Sequence, residues 1–272
     1  MPELPEVQTV VNHIRDDLIG EKINTITPVW PKVLHNFLPE DINKKLNDKI
    51  ITDVYRRAKF IILQFKHGII AIHLRMTGKL YILLDKPYPK HCSALINLAG
   101  GRKLIFEDVR KFGRFYLYDN IEPINSRHGP EPLDNNFRIE TFQKMLNSRK
   151  RNIKALLLDQ SFISGLGNIY VDECLWKSKI HPNSISNAIP KKKAATLHFQ
   201  IRQTLQDAIK KQGTTIIDFS VNGESGKYAN ELKIFGRADL NCFTCKNKIK
   251  KGRVAGRGTY SCQKCQKIYT GY

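Results

Sequence analysis

Four cysteines near the carboxy-terminal end constrain this chain more than any other feature: Cys242-x2-Cys245, sixteen intervening residues, then Cys262-x2-Cys265. Each pair can present two thiolates from one tight turn, and two such turns complete a tetrahedral Zn2+ site. Four protein ligands leave no open position for a substrate, so the spacing predicts one structural Zn2+. Four reduced core thiols are the competing reading. The segment between the pairs, Lys248 to Tyr260, is too basic and glycine-rich to form a core and reads as a β-hairpin held out by the metal. The remaining cysteines, Cys92 and Cys174, stand alone. Cys174 shares the apolar side of a helical pattern with Val171, Leu175 and Ser178, which predicts a packed thiol.

Charge narrows the partners. The chain carries 45 Lys+Arg against 25 Asp+Glu, a net +20 that draws polyanions toward it. Nucleic acid is the first candidate and an anionic membrane surface the second. The basic residues follow turns and glycines and do not line one helix face, which disfavours the membrane. There is no apolar run of about 18 residues and no basic-then-apolar start. The expectation is a soluble, cytoplasmic, nucleoid-associated monomer with reduced cysteines. At 272 residues and 41% hydrophobic content, two domains can each hold a core.

Leu4, Val7, Val11, Ile14 and Leu18 recur at helical spacing, with Pro2 and Pro5 at the start, where proline is tolerated. After Gly20 short β-branched and aromatic runs follow, among them Lys49 to Arg56, Lys59 to Lys66, Ile69 to Leu74, Lys103 to Glu107 and Phe115 to Tyr118. Strands at this density predict a β-sandwich with one leading helix, in an α+β chain. Residues 122–136, with three prolines and no periodicity, read as a linker. Helical patterns then cover about 139–147, 152–160, 168–178 and 191–212, the last closed by Gly213. A loop from Asp218 to Lys227 precedes the cysteines.

Several short constellations carry chemistry. Arg257, between Gly256 and Gly258, suits a phosphate fork, or is a solvated turn residue. Ser164-Gly165-Leu166-Gly167-Asn168 could cradle a phosphate at a helix start, with Asn168 as cap, or form a plain tight turn. Lys150 and Lys154 add charge just upstream. In Asp108-Val109-Arg110-Lys111-Phe112-Gly113, an arginine and an aromatic on a turn suit a wedge for unstacked DNA. Phe112 as a core residue of the next strand is the reading that the residues alone favour. At the other end, removal of Met1 would make Pro2 a secondary amine at the positive end of a helix. Both its position and desolvation lower its pKa, giving a neutral amine able to form a Schiff base with a sugar aldehyde carbon.

Together these residues resemble the formamidopyrimidine-DNA glycosylase family along the whole chain. The resemblance rests on Pro2-Glu3-Leu4-Pro5-Glu6-Val7, His73-Leu74-Arg75-Met76-Thr77-Gly78 and Arg110-Lys111-Phe112-Gly113. It continues in Gly165-Leu166-Gly167-Asn168-Ile169-Tyr170, Asn230-Glu231-Leu232 and Val254-Ala255-Gly256-Arg257-Gly258-Thr259. It implies an N-terminal β-sandwich over 1–133, a helical domain with a helix–two-turn–helix motif over 134–231, and a zinc finger over 232–272. It further implies base flipping, attack of the Pro2 nitrogen on C1′, and β,δ-elimination at an oxidised purine in duplex DNA. Glu3 would be the general acid at the sugar ring, with Lys59 and Arg257 assisting elimination and holding phosphate. His73, His91, Arg110, Lys150, Lys154 and Asn168 would contact DNA. Met76, Arg110 and Phe112 would fill the gap left by the flipped nucleotide. One departure is visible: family members often carry a second histidine two residues after the position of His91, where this chain has Ser93 in Lys90-His91-Cys92-Ser93.

Two alternatives remain at this level. An enzyme resembling endonuclease VIII would remove oxidised pyrimidines with the same nucleophile. Leu4, where glycine is expected in that class, and the Asp218 to Lys227 loop favour purines. A non-catalytic zinc-containing DNA-binding relative would need none of Pro2, Glu3 and Lys59, and all three are present.

Overall fold

A computed structural model describes every residue except Asn47, Asp85, Lys86, 215–219, Asn222, Gly223 and Tyr272. The chain divides into two compact units, Met1–Ser126 with Lys211–Lys227, and Arg127–Lys210 with Tyr228–Tyr272. The division at Ser126 falls inside the predicted linker, yet that stretch is ordered by its own bonds. Gly129 N donates to Gln160 O at 2.8 Å, and Ser164 Oγ donates to Pro130 O at 3.1 Å.

The first unit opens with helix α1 (Leu4–Leu18), which buries Leu4, Val7, Val10, Val11, Ile14 and Leu18. The strands that follow are β1 (Ile23–Pro28), β2 (Ile51–Arg57), β3 (Phe60–Phe65), β4 (Ile69–His73), β5 (Gly78–Leu83), β6 (Cys92–Leu98), β7 (Lys103–Asp108) and β8 (Arg114–Tyr118). A short helix α2 (Asp41–Lys45) sits between β1 and β2, and α3 (Glu122–Asn125) follows β8. The strands form two antiparallel four-stranded sheets, β1-β6-β7-β5 and β2-β3-β4-β8, with one core built from both and from α1. This is the predicted sandwich with its leading helix. Strand β4 shows why its sequence reads Ile69-Ile70-Ala71-Ile72 without alternation. Ile70 and Ile72 face the shared core, while Ile69 and Ala71 pack on the other face under Ile124 of α3. Two-residue strands β9 (Ser220–Val221) and β10 (Glu224–Ser225) pair within the segment 211–227. Part of the predicted loop from Asp218 to Lys227 lies outside the described residues.

The second unit holds α4 (Ile139–Asn147), α5 (Ile153–Leu158), α6 (Asn168–Lys177) and α7 (Lys191–Lys210), close to the spans expected from periodicity. Asn152 caps α5 by accepting from Ala155 N. Residues 159–167 join α5 to α6. Cys174 is fully buried on α6, as its apolar neighbours predict. The unit ends in a hairpin, β11 (Lys250–Val254) and β12 (Arg257–Ser261), whose turn residues Ala255 and Gly256 have φ of 51° and 72°. Positive φ at both turn positions matches the twist of a tight hairpin.

Candidate active site

The first unit places Pro2 directly ahead of α1. Glu3 is the N-cap, and it exchanges bonds with Glu6 as a capping box: the Glu3 carboxylate takes the Glu6 amide, and Glu3 N donates to Glu6 Oε2 at 2.8 Å. Glu6 Oε1 accepts from Thr214 N at 2.7 Å, so one buried carboxylate ties the terminal turn to the segment after α7. Glu6 carries no capping-box signature in the sequence, because the cap is Glu3 and not Ser or Thr.

Lys59 sits in the two-residue connection between β2 and β3 and is 6% exposed. Its neighbour Ala58 is buried with φ of 54°, and Arg56 Nη1 donates to Ala58 O at 2.9 Å. Arg75 (φ 55°) precedes Met76, and Lys111 (φ 57°) lies between Arg110 and Phe112. Left-handed backbone at non-glycine residues is costly, and it concentrates where a site fixes a side chain's direction. Of the nine such residues described, Ala58, Arg75 and Lys111 fall beside Lys59, Met76, Arg110 and Phe112.

Phe112 is 48% exposed and Met76 38% exposed. Strand β8 starts only at Arg114, so Phe112 is not a core residue of that strand. The Arg110 guanidinium lies 4.8 Å from the centre of the Phe112 ring. Met1, Arg75, Met76, Phe112 and Tyr116 line an open hollow of about 410 Å³. His73 is half-buried with its ring edge against Phe60, and its Nδ1 accepts from Arg75 N at 3.0 Å, which puts the ring proton on Nε2. His91 O accepts from Asp108 N at 2.9 Å, which holds His91 at the end of the β6–β7 ladder.

In the second unit Lys150 and Arg257 are exposed and open to a phosphate. Lys154 is different. It is fully buried, with Nζ 2.7 Å from Asp172 Oδ1, 2.8 Å from Thr259 Oγ1 and 3.2 Å from Gly258 O. The expectation that Lys154 contacts DNA directly is therefore corrected: its ammonium is consumed in anchoring β12. The other Asp172 oxygen accepts from Tyr260 N at 3.0 Å. Burial pushes the Asp172 carboxyl up to about 6 despite the adjacent Lys154 charge.

Asn168 is the first residue of α6 and Gly167 its cap, so the expected capping by Asn168 is also corrected. Its Nδ2 donates to Gly258 O at 3.0 Å, which sets it beside the residue that follows Arg257. Gly165 N already donates to Gln160 Oε1 at 2.9 Å, so this glycine amide serves the turn. Glu173, buried on α6, accepts from Lys233, Ile234 and Phe235 amides at 2.9 to 3.1 Å and fixes the chain leading to the finger. Asp172 and Glu173 escaped sequence reading because acidic residues on a helix ordinarily signal a solvated face.

The sulfurs of Cys242, Cys245, Cys262 and Cys265 all lie within 4.8 Å of one another. Cys242 and Cys265 are 3.8 Å apart and Cys245 and Cys262 3.4 Å. A tetrahedron with metal–sulfur bonds of about 2.3 Å puts its sulfurs about 3.8 Å apart, so the set fits Zn2+. Burial opposes ionisation of Cys242, but the amides of Cys245 and Thr244 outweigh it and bring that thiol down to about 6. Burial and the neighbouring thiols push Cys265 up to about 12. A cluster that cannot ionise completely alone is one that a cation completes.

Residues 1–115 match the formamidopyrimidine-DNA glycosylase N-terminal domain, and residues 128–220 match the H2TH domain of the same enzymes. A formamidopyrimidine-DNA glycosylase of Protochlamydia amoebophila is 40% identical, over 98% of this chain and all of that protein. The chain belongs to the formamidopyrimidine-DNA glycosylase family. A Lactobacillus gasseri glycosylase of this family is likewise 40% identical, over 99% of the chain. Among solved structures, a Lactococcus lactis family variant bound to DNA containing Fapy-dG superposes with a TM-score of 0.90 at 38% identity, covering 97% of this chain and 99% of that one. MutM in complex with DNA containing carbocyclic 8-oxo-G gives 0.89 at 38% identity, with the same coverage of both chains. Among the described residues no helix is long and apolar enough to cross a membrane.

Proposed function

We propose that this chain is a bifunctional DNA glycosylase and abasic-site lyase of base-excision repair, acting on oxidised purines in duplex DNA. The reading rests on a likeness that runs nearly the whole chain, at 38% identity and TM-scores of 0.89 to 0.90, to proteins of this family in complex with DNA containing Fapy-dG and carbocyclic 8-oxo-G. On nucleoid DNA the enzyme works in the cytoplasm.

Loss of Met1 frees the Pro2 nitrogen. Its lone pair attacks C1′ of the flipped nucleotide, the glycosidic bond breaks, and the base leaves with the bonding electrons and takes up the proton that the Pro2 nitrogen gives up. Glu3, beside Pro2 and shielded from water, donates a proton to the sugar ring oxygen as the ring opens to the iminium. The iminium acidifies C2′; loss of a C2′ proton expels the 3′ phosphate, and a second elimination expels the 5′ phosphate. Lys59 and Arg257 hold these phosphates and offset their charge. A one-nucleoside gap remains after hydrolysis frees Pro2.

Before chemistry, Met76, Arg110 and Phe112 occupy the space vacated by the flipped nucleotide, with Arg110 toward the orphaned base. His73, His91, Lys150 and Asn168 bind the backbone, and Lys154 serves them indirectly through β12. Cys242, Cys245, Cys262 and Cys265 hold one Zn2+, which closes the finger 232–272 as a module without entering the reaction. An excision assay on duplexes carrying 8-oxoguanine or thymine glycol tests the reading; preferential release of thymine glycol would move the chain to the oxidised-pyrimidine class.

A further inference from the structure

The wedge residues stand on two separate loops. Met76 lies between β4 and β5, and Arg110 and Phe112 lie between β7 and β8. One buried side chain reaches both. Asp108, 1% exposed at the end of β7, accepts from Thr77 Oγ1 of the first loop on Oδ1, and from Arg110 N on the same oxygen at 3.2 Å. Its Oδ2 accepts from Gly113 N at 2.7 Å. Arg110 N also reaches Thr77 Oγ1 at 3.1 Å, so the loops share a donor as well as an acceptor.

Packing reinforces the clip. A Cβ on Gly113 would sit 2.2 Å from Phe106 Cζ, and one on Gly78 would sit 2.9 Å from the same atom. Both loops therefore close on the Phe106 ring, and each needs glycine there for close approach rather than for flexibility. Arg75 and Lys111, held at positive φ, are conformations that a free loop would relax and a clipped loop keeps.

We propose that Asp108 is the positioning residue that fixes the two wedge loops in one geometry before DNA arrives, and so sets the rate at which a paired lesion is flipped. The inference rests on the wedge reading of Met76, Arg110 and Phe112 given above. A buried carboxylate with three donors makes charge-assisted bonds, and removing it strands buried N–H groups. Loops ordered in advance spend none of the DNA-binding energy on their own ordering.

The test compares two substrates in single turnover: a duplex with 8-oxoguanine opposite cytosine, and the same duplex with a preformed abasic site, from which no purine has to be extruded. Asp108→Asn keeps the volume but must point an amide N–H at one set of donors. Thr77→Val removes only the hydroxyl and stands in should the first variant fold poorly. The expected result is a fall of about tenfold or more in 8-oxoguanine excision for Asp108→Asn and several-fold for Thr77→Val. The double variant should fall by less than the product, because both act through one bond network. Abasic-site cleavage should stay within about threefold of wild type. Wild-type rates on both substrates, or equal losses on both that track a fall in melting temperature, would overturn the proposal. Wild-type protein that leaves 8-oxoguanine intact would instead sink the functional reading itself, before any variant is compared.

Discussion

Lys154 Nζ lies 2.7 Å from Asp172 Oδ1 with both side chains fully out of solvent, and together they grip strand β12 at Gly258, Thr259 and Tyr260. The pair thereby sets the position of Arg257 on the hairpin and, through Gly258, that of Asn168 on α6.

Lys154→Met should destabilise the protein by about 3–5 kcal/mol, because it leaves a buried carboxylate without its partner. Duplex affinity should fall for damaged and undamaged DNA alike as the hairpin loses register. Urea melts and duplex titrations measure both. Unchanged stability with a salt slope lowered by about one would restore a direct phosphate contact.

Asp172 also predicts a pH dependence. Its carboxyl titrates near 6 when folded against an ordinary 3.8. Between about 4 and 6 the folded chain therefore keeps a proton that the unfolded chain has released, and this group's contribution to stability declines as pH rises through that window. The stability of wild type relative to Asp172→Asn should drop from pH 4 to pH 6 and level off above it. A relative stability that rises with pH would contradict the assignment.

Much of this architecture is legible from residue patterns, because the patterns report local physics. Leu4, Val7, Val11, Ile14 and Leu18 specify α1, and the four cysteines specify their own cluster. Lys154 reads as a solvated DNA contact because it stands in a basic stretch, and only the fold shows that Asp172 and Thr259 enclose it. Asp108 and Glu6 each join segments far apart in sequence, through Thr77 Oγ1 and Thr214 N, and no local pattern announces partners that only folding brings close. Phe112 read more readily as strand than as wedge because its distance from the start of β8 is set by the turn at Lys111.

Removal of the metal should separate DNA binding from folding of the first unit. All four thiols lie in the second unit, so chelation or Cys245→Ser should abolish duplex binding while the sandwich keeps its own cooperative melt. Full affinity in metal-free protein would contradict a finger closed by Zn2+.

Arg257→Ala should weaken damaged and undamaged DNA together and lower the log–log salt slope by roughly one, as expected for a lost phosphate contact. Arg257 is exposed on β12, so the melting temperature should barely change. A loss confined to damaged DNA, at an unchanged salt slope, would move Arg257 from the backbone to the lesion.

Pro2 can act as the nucleophile only once Met1 is gone. While Met1 is attached, the Pro2 nitrogen is a tertiary amide with neither a basic lone pair nor an N–H. The decisive measurement is borohydride trapping on an 8-oxoguanine duplex, comparing protein that has lost Met1, verified by intact mass, with protein carrying an uncleavable N-terminal extension. A covalent protein–DNA adduct and strand cleavage are expected only for the first, with duplex affinity much less affected in the second. An adduct of equal yield from the extended protein would show that another amine, with Lys59 the first candidate, does the work assigned to Pro2.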